Sequence, residues 1–112
     1  MRRPLPDGWP GIDSDLVHAA QDLQIIDQAL DDLHRKYGDD ADSREDYLAF
    51  VDRRLENIAT LINTPARSMA GIRAKAAAVR LRSIVEDYVR HRRIAVSLAD
   101  DLVRLDERAV QS

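Results

Sequence analysis

An apolar seam runs without a break through the C-terminal part of this chain. Ala70, Ala74, Ala77, Leu81, Ile84, Tyr88, His91, Ala95, Leu98, Leu102, Leu105 and Ala109 alternate at spacings of four and three. That is the a/d repeat of a helix packed along another helix. Neither Pro nor Gly interrupts it after Gly71. A chain with this pattern is a helical packing module, and the fold class that follows is all-α.

The remainder of the chain supplies neighbours for that seam. Residues 1–11 hold three of the four prolines and two of the four glycines, so they read as an extended arm with Trp9 as its anchor. Residues 12–112 read as one helical bundle domain. Helix 1 is expected over 13–37, with Asp13 or Ser14 as N-cap and Gly38 as C-cap. Its stripe is Leu16, Ala19, Leu23, Ile26, Leu30, Leu33 and Tyr37. Helix 2 is expected over 43–63, opened by a capping-box-like Ser43 and Asp46. Its stripe is Leu48, Val51, Leu55, Ile58 and Ile62. Helix 3 is expected over 65–108, announced by Thr64-Pro65, because Pro is favoured at the first helical position. Helices 1 and 2 form an antiparallel hairpin on this long third helix.

The helix lengths do not match. At a rise of about 1.5 Å per residue, helices 1 and 2 reach ~36 and ~30 Å, while an unbroken third helix reaches ~65 Å. Leu98, Leu102 and Leu105 would then protrude with an apolar face in water. Either a second copy covers the seam, or the chain bends near Ser97 and a fourth helix folds back. The unbroken register points to the long helix and a homo-oligomer, a dimer foremost. The expected interface is Leu81, Ile84, Tyr88, His91, Leu98, Leu102 and Leu105.

Composition narrows the function classes. The chain has no cysteine, which removes disulfide frameworks and thiol chemistry. Its start lacks the apolar segment of a signal peptide, and no apolar stretch is long enough to span a bilayer; the expected location is cytoplasmic. The net charge of −3 hides an asymmetry: residues 7–64 carry 14 Asp/Glu and 5 Lys/Arg, a net of −9, and residues 65–93 carry 8 Lys/Arg and 2 Asp/Glu, a net of +6. The expected reading is opposite charges that face each other within a bundle or are simply solvated. A basic face for nucleic acid is the alternative, with Arg73, Lys75, Arg80, Arg82, Arg90, Arg92 and Arg93 as candidate phosphate contacts. Those residues do not fall on one stripe at 100° per residue, and no aromatic platform accompanies them.

No catalytic pattern emerges. His18, His34 and His91 each have an Asp three or four residues away, but the chain lacks the Glu-x-x-His pairs of a bundle metal site. The serines sit at predicted caps, on helices or at the chain end, none in a nucleophile elbow. The four glycines are scattered, so no phosphate loop forms. The expectation is a protein without enzymatic activity, cofactor or metal.

The stretch Thr64-Pro65-Ala66-Arg67-Ser68-Met69-Ala70-Gly71-Ile72-Arg73-Ala74-Lys75-Ala76, followed by Ser97-Leu98-Ala99-Asp100-Asp101-Leu102, resembles a pattern in uncharacterised small bacterial helical proteins with a PAxTxAGLxAKA…SLAxDL type of signature. Ser68 stands where that pattern has Thr, and Ile72 where it has Leu. The resemblance implies a bacterial or phage origin and transfers no activity or binding residue.

The reading that follows is a helical interaction or assembly protein that self-associates through its C-terminal seam. The alternative is a nucleic-acid-binding or regulatory protein that uses residues 73–93. A third is a small phage or bacterial inhibitor or accessory subunit whose acidic helices meet a basic target protein.

Overall fold

The first helix is built as its periodicity demands. In the structure, a computed structural model that describes residues 12–111 and the side chains of 12–106, α1 spans Ser14–Tyr37. Its Leu16, Ala19, Leu23 and Ile26 are buried. Gly38 ends it with φ 60° and donates its N–H to the His34 carbonyl, a left-handed exit that glycine makes without steric cost. A 3-10 turn over Gly38–Ser43 leads to α2, Glu45–Asn63. The arm and Trp9 lie outside the described residues.

Helix 2 starts later than its sequence suggests. The Ser43 hydroxyl donates to the Asp40 carbonyl at 3.0 Å and serves the 3-10 turn. Asp46 instead accepts from Arg44 at 3.1 Å and from the Tyr47 N–H at 2.9 Å. The inward face of α2 is also narrower than its stripe. Ile58 and Leu61 are buried, whereas Leu48 and Leu55 are exposed.

The long third helix is three helices. These are α3 over Met69–Val79, a single turn α4 over Arg82–Val85, and α5 over Tyr88–Gln111. Thr64-Pro65 does not open α3. Residues 64–68 are extended because side chains from elsewhere satisfy their backbone. Asp13 accepts the Arg67 and Ser68 N–H groups at 2.9 and 2.8 Å, and also the Ser68 hydroxyl at 2.8 Å. Arg104 donates to the Ala66 carbonyl at 2.7 Å. Asp13 precedes α1 in a left-handed conformation, φ 65°, and makes no side-chain cap bond to that helix. Its carboxylate holds the entry to α3 instead.

The break after Val79 has a tertiary cause as well. Leu81 is extended (φ −65°, ψ 134°), and its neighbourhood is held by the first two helices. Ser83 donates to Asp27 of α1 at 2.6 Å, and Arg54 of α2 donates to the Ser83 carbonyl at 3.2 Å. Asp87 then opens α5, accepting the Arg90 N–H on its carboxylate at 3.3 Å. The chain thus reverses between residues 80 and 87, and α5 returns along α3. The expected unbroken helix is thus interrupted, and Ser97, where the alternative placed a bend, lies inside α5.

The result is an all-α bundle in which α1 packs on α2 and α3, and α5 packs on α3 and α2. One core joins them: Leu16, Ala19, Ala20, Leu23, Ile58, Leu61, Ala66, Ile72, Ala74, Ala78, Ile84 and Ile94. Gly71 is required where α3 passes Asp13. A Cβ there would come within 2.9 Å of the Ala66 Cβ and closer still to the Asp13 carboxylate. Gly71→Ala should therefore destabilise the fold by about 1–3 kcal/mol, despite the better helix propensity of alanine. Urea unfolding measures this, and a gain in stability would contradict the packing described.

Candidate functional site: the two faces of α5

The inward face of α5 carries a polar network in the core. The ammonium of Lys75 on α3 lies 2.5 Å from Asp101 Oδ2 and 2.7 Å from Ser97 Oγ. Lys75 is fully buried, and the Asp101 side chain is 2% exposed. The Ser97 hydroxyl donates to the Ile62 carbonyl at the end of α2, 2.9 Å away. Arg104 closes the network, donating to Asp101 Oδ1 at 2.8 Å and to the Ala66 carbonyl. A buried charge must be both paired and hydrogen-bonded, and both conditions are met. Lys75 is therefore not a phosphate contact. Its charge is spent inside the fold.

Most of the expected oligomer interface is used by the chain itself. Ile84 is wholly buried, and Leu81, Leu98 and Leu105 pack against the same core. Tyr88 and Leu102 are exposed, and His91 is half-buried. The fold-back covers Leu81, Ile84, Leu98 and Leu105, which removes the need for a second copy at those four positions.

A different stripe of α5 faces outward. Val89, Val96 and Val103 stand at successive sevens and are 60%, 52% and 60% exposed. Arg92, Arg93 and Asp100 lie beside them, also exposed. Between α5 and α2, Tyr88, Val89, Arg92, Val96 and Asp100 line an open groove of about 580 Å³ with Ile62 as its α2 wall. Leu48, Leu55 and Ile62 are themselves seven apart, so they share one face of α2. Leu48 and Leu55 are 51% and 39% exposed. Each stripe thus keeps exposed apolar side chains, Leu48 and Leu55 on α2 and the three valines on α5.

The remaining basic candidates are dispersed. Arg82 pairs with Glu86 at 3.0 Å and Arg90 with Asp87 at 2.8 Å. Arg73 and Arg80 are exposed on α3 and at its end. Arg92 and Arg93 border the α5 groove. No single basic face emerges from these positions.

Two polar clefts complete the surface. One, between α1 and α2, is lined by Asp15, His18, Asp22, Asn57 and Thr60. Partial burial pushes the Asp22 carboxyl up, but hydrogen bonds from Asn57 (2.8 Å) and Arg53 outweigh it and hold its pKa below the usual range. The other contains Asp27, Asp31, His34, Tyr47, Arg54 and Ser83. There Ser83 is committed as a donor to Asp27, and His34 lies 3.2 Å from the Tyr47 hydroxyl and 3.4 Å from Asp42. Both clefts are bridged by contacts that tie helices together. Among the described residues, no three His, Asp or Glu side chains converge on a metal position, and no helix is long and apolar enough to cross a membrane.

Comparison with known proteins gives no relative: no family model, curated protein or solved structure matches the chain.

Two outcomes test this geometry. Asp101→Ala leaves the buried Lys75 charge without its counter-ion and should cost about 3–5 kcal/mol. Lys75→Ala should cost less because Arg104 still pairs with Asp101, and Lys75→Met with Asp101→Leu should recover much of the larger loss. Chemical denaturation of the three variants gives the comparison. The second outcome concerns acid. The Arg90 guanidinium lowers the Asp87 carboxyl and that of Arg44 lowers Asp46, as the contacts above lower Asp22. These carboxylates stabilise the fold above the ordinary aspartate value of 3.8, and that contribution is lost as pH falls through their lower folded values. The thermal midpoint should drop as pH falls below ~4, and Asp22→Asn should flatten that dependence.

Proposed function

We propose that this chain is a non-enzymatic cytoplasmic interaction and assembly module, and that it works by presenting the outer face of α5 to another helix. The observation that carries this reading is the heptad-spaced Val89, Val96 and Val103, more than half exposed on a helix whose other face is fully committed to the core. Exposed single valines are ordinary on protein surfaces. Three at successive sevens, continuous with a groove walled by Ile62, form the seam that helix-to-helix packing uses.

The same arrangement bears on the alternative use of residues 73–93 for nucleic acid. Lys75 is internal, Arg82 and Arg90 are paired with neighbouring acids, and the remaining arginines lie in separate places. The arginines beside the valine stripe fit a flank of a helical contact, where long side chains cover apolar surface and steer association.

A second copy is the partner this reading puts first. Light scattering on a sizing column should give a mass above the 12.7 kDa of one chain, rising with concentration, and Val96→Glu should return it to one chain with unchanged helix content. A wild-type mass of one chain at every concentration contradicts self-association.

A further inference from the structure

We infer that the second copy docks antiparallel on α5, about a two-fold axis near Val96 and Ser97, with Arg93 of each chain opposite Asp100 of the other. The inference rests on the assembly reading above and adds its geometry.

The register follows from the spacing. Val89, Val96 and Val103 occupy one heptad position, and Arg92 and Ala99 occupy the other position of the same outward stripe. Arg93 and Asp100 are also seven residues apart, so they share the flank beside the valines. In an antiparallel pair related by a two-fold axis, like flanks face each other with their order reversed. A residue before the centre on one helix then meets a residue after the centre on the other. Arg93 and Asp100 straddle the centre, so each copy supplies both ends of the pair and the contact occurs twice. Valines of one chain lie over Ala99 and over the aliphatic stem of Arg92 of the other, which keeps the guanidinium at the rim.

Charge selects this arrangement over its rival. A parallel, in-register pair sets Arg92 against Arg92 within the seam, where like charges are costly. Within one chain Arg92, Arg93 and Asp100 make no salt bridge or side-chain hydrogen bond among the described residues. Neighbouring acids and bases on the inner side are spent: Asp101 on Lys75 and Arg104, and Asp87 on Arg90. Among the charges left over on α5, Arg93 and Asp100 are the pair of opposite sign that this two-fold axis would bring together. The groove beside them is open along its length, with Ile62 and Val96 on its walls.

A charge-reversal cycle read by sedimentation equilibrium tests the geometry. Arg93→Glu alone and Asp100→Arg alone should each weaken self-association roughly tenfold or more, and the two together should restore it to within a few-fold of wild type. Both residues involved are exposed, so circular dichroism should show equal helix content throughout. A second measurement uses the absence of native cysteine. A mixture of Arg93→Cys and Asp100→Cys chains should form a mixed disulfide dimer on mild oxidation, while either chain alone should not. If wild type self-associates but neither the rescue nor the mixed cross-link appears, the antiparallel geometry is wrong and the assembly reading survives. If wild type stays at the mass of one chain, both fail.

Discussion

The ion pair between Lys75 and Asp101 is the constraint on which the rest of the structure depends. Each group is out of water, so each requires the other within hydrogen-bond reach, and only one placement of α5 on α3 supplies that. Ser97 and Arg104 extend the demand. The first ties α5 to the end of α2, the second to the extended link at Ala66. A purely apolar seam tolerates sliding by one heptad. A buried charge pair with two backbone carbonyls attached does not, and this is the specificity that buried polar groups supply at some expense in stability. Ser97 and Asp101 join Lys75 in this network from 22 and 26 residues away.

Asp13 plays the corresponding part at the other end of the chain. Its carboxylate organises the entry to α3 across 54 residues of sequence separation, and Gly71 exists to let α3 pass it. The ion pairs of the first half stay within that half. The acids of the first half meet the arginines of that half, as Asp22 meets Arg53 and Asp27 meets Arg54. The buried lysine of the basic segment meets an acid of the C-terminal segment. The net charge of −9 over residues 7–64 is not cancelled by these pairs, and exposed acids such as Asp31, Asp39, Asp40 and Asp52 leave it at the surface.

The outer face of α5 stays outside the bundle core. Once the inward face has taken Ile94, Leu98, Asp101 and Leu105 into the bundle, the valine stripe and its flanking charges have no partner in the same chain. A helix with one face locked in a core is a rigid platform for the opposite face, and a rigid platform loses little entropy on docking. The proposed role in assembly is a consequence of this two-sidedness.

Much of the fold was legible in the spacing of apolar residues. The all-α class, α1 with its Gly38 exit, and the existence of α2 follow from period and caps, because helix periodicity and glycine at a left-handed exit are local physics. The break at residues 80–87 was hidden. It uses only ordinary backbone angles, so no Gly or Pro marks it, and α3 and α5 pack on each other through one continuous repeat that reads as a single helix. One local signal was present: Asp87 three residues before Arg90 is an N-cap pattern. Lys75 was misplaced because a charged residue reads as surface until its partner is known, and that partner lies 26 residues away. The outward valines were overlooked because the neighbouring stripe has larger side chains, and only packing decides which of two adjacent stripes turns inward. The sequence by itself determined helices, their faces and the signs of their charges. The tertiary structure decided where the long repeat folds back and which face of α5 remains for a partner, because both depend on contacts between residues far apart in the chain.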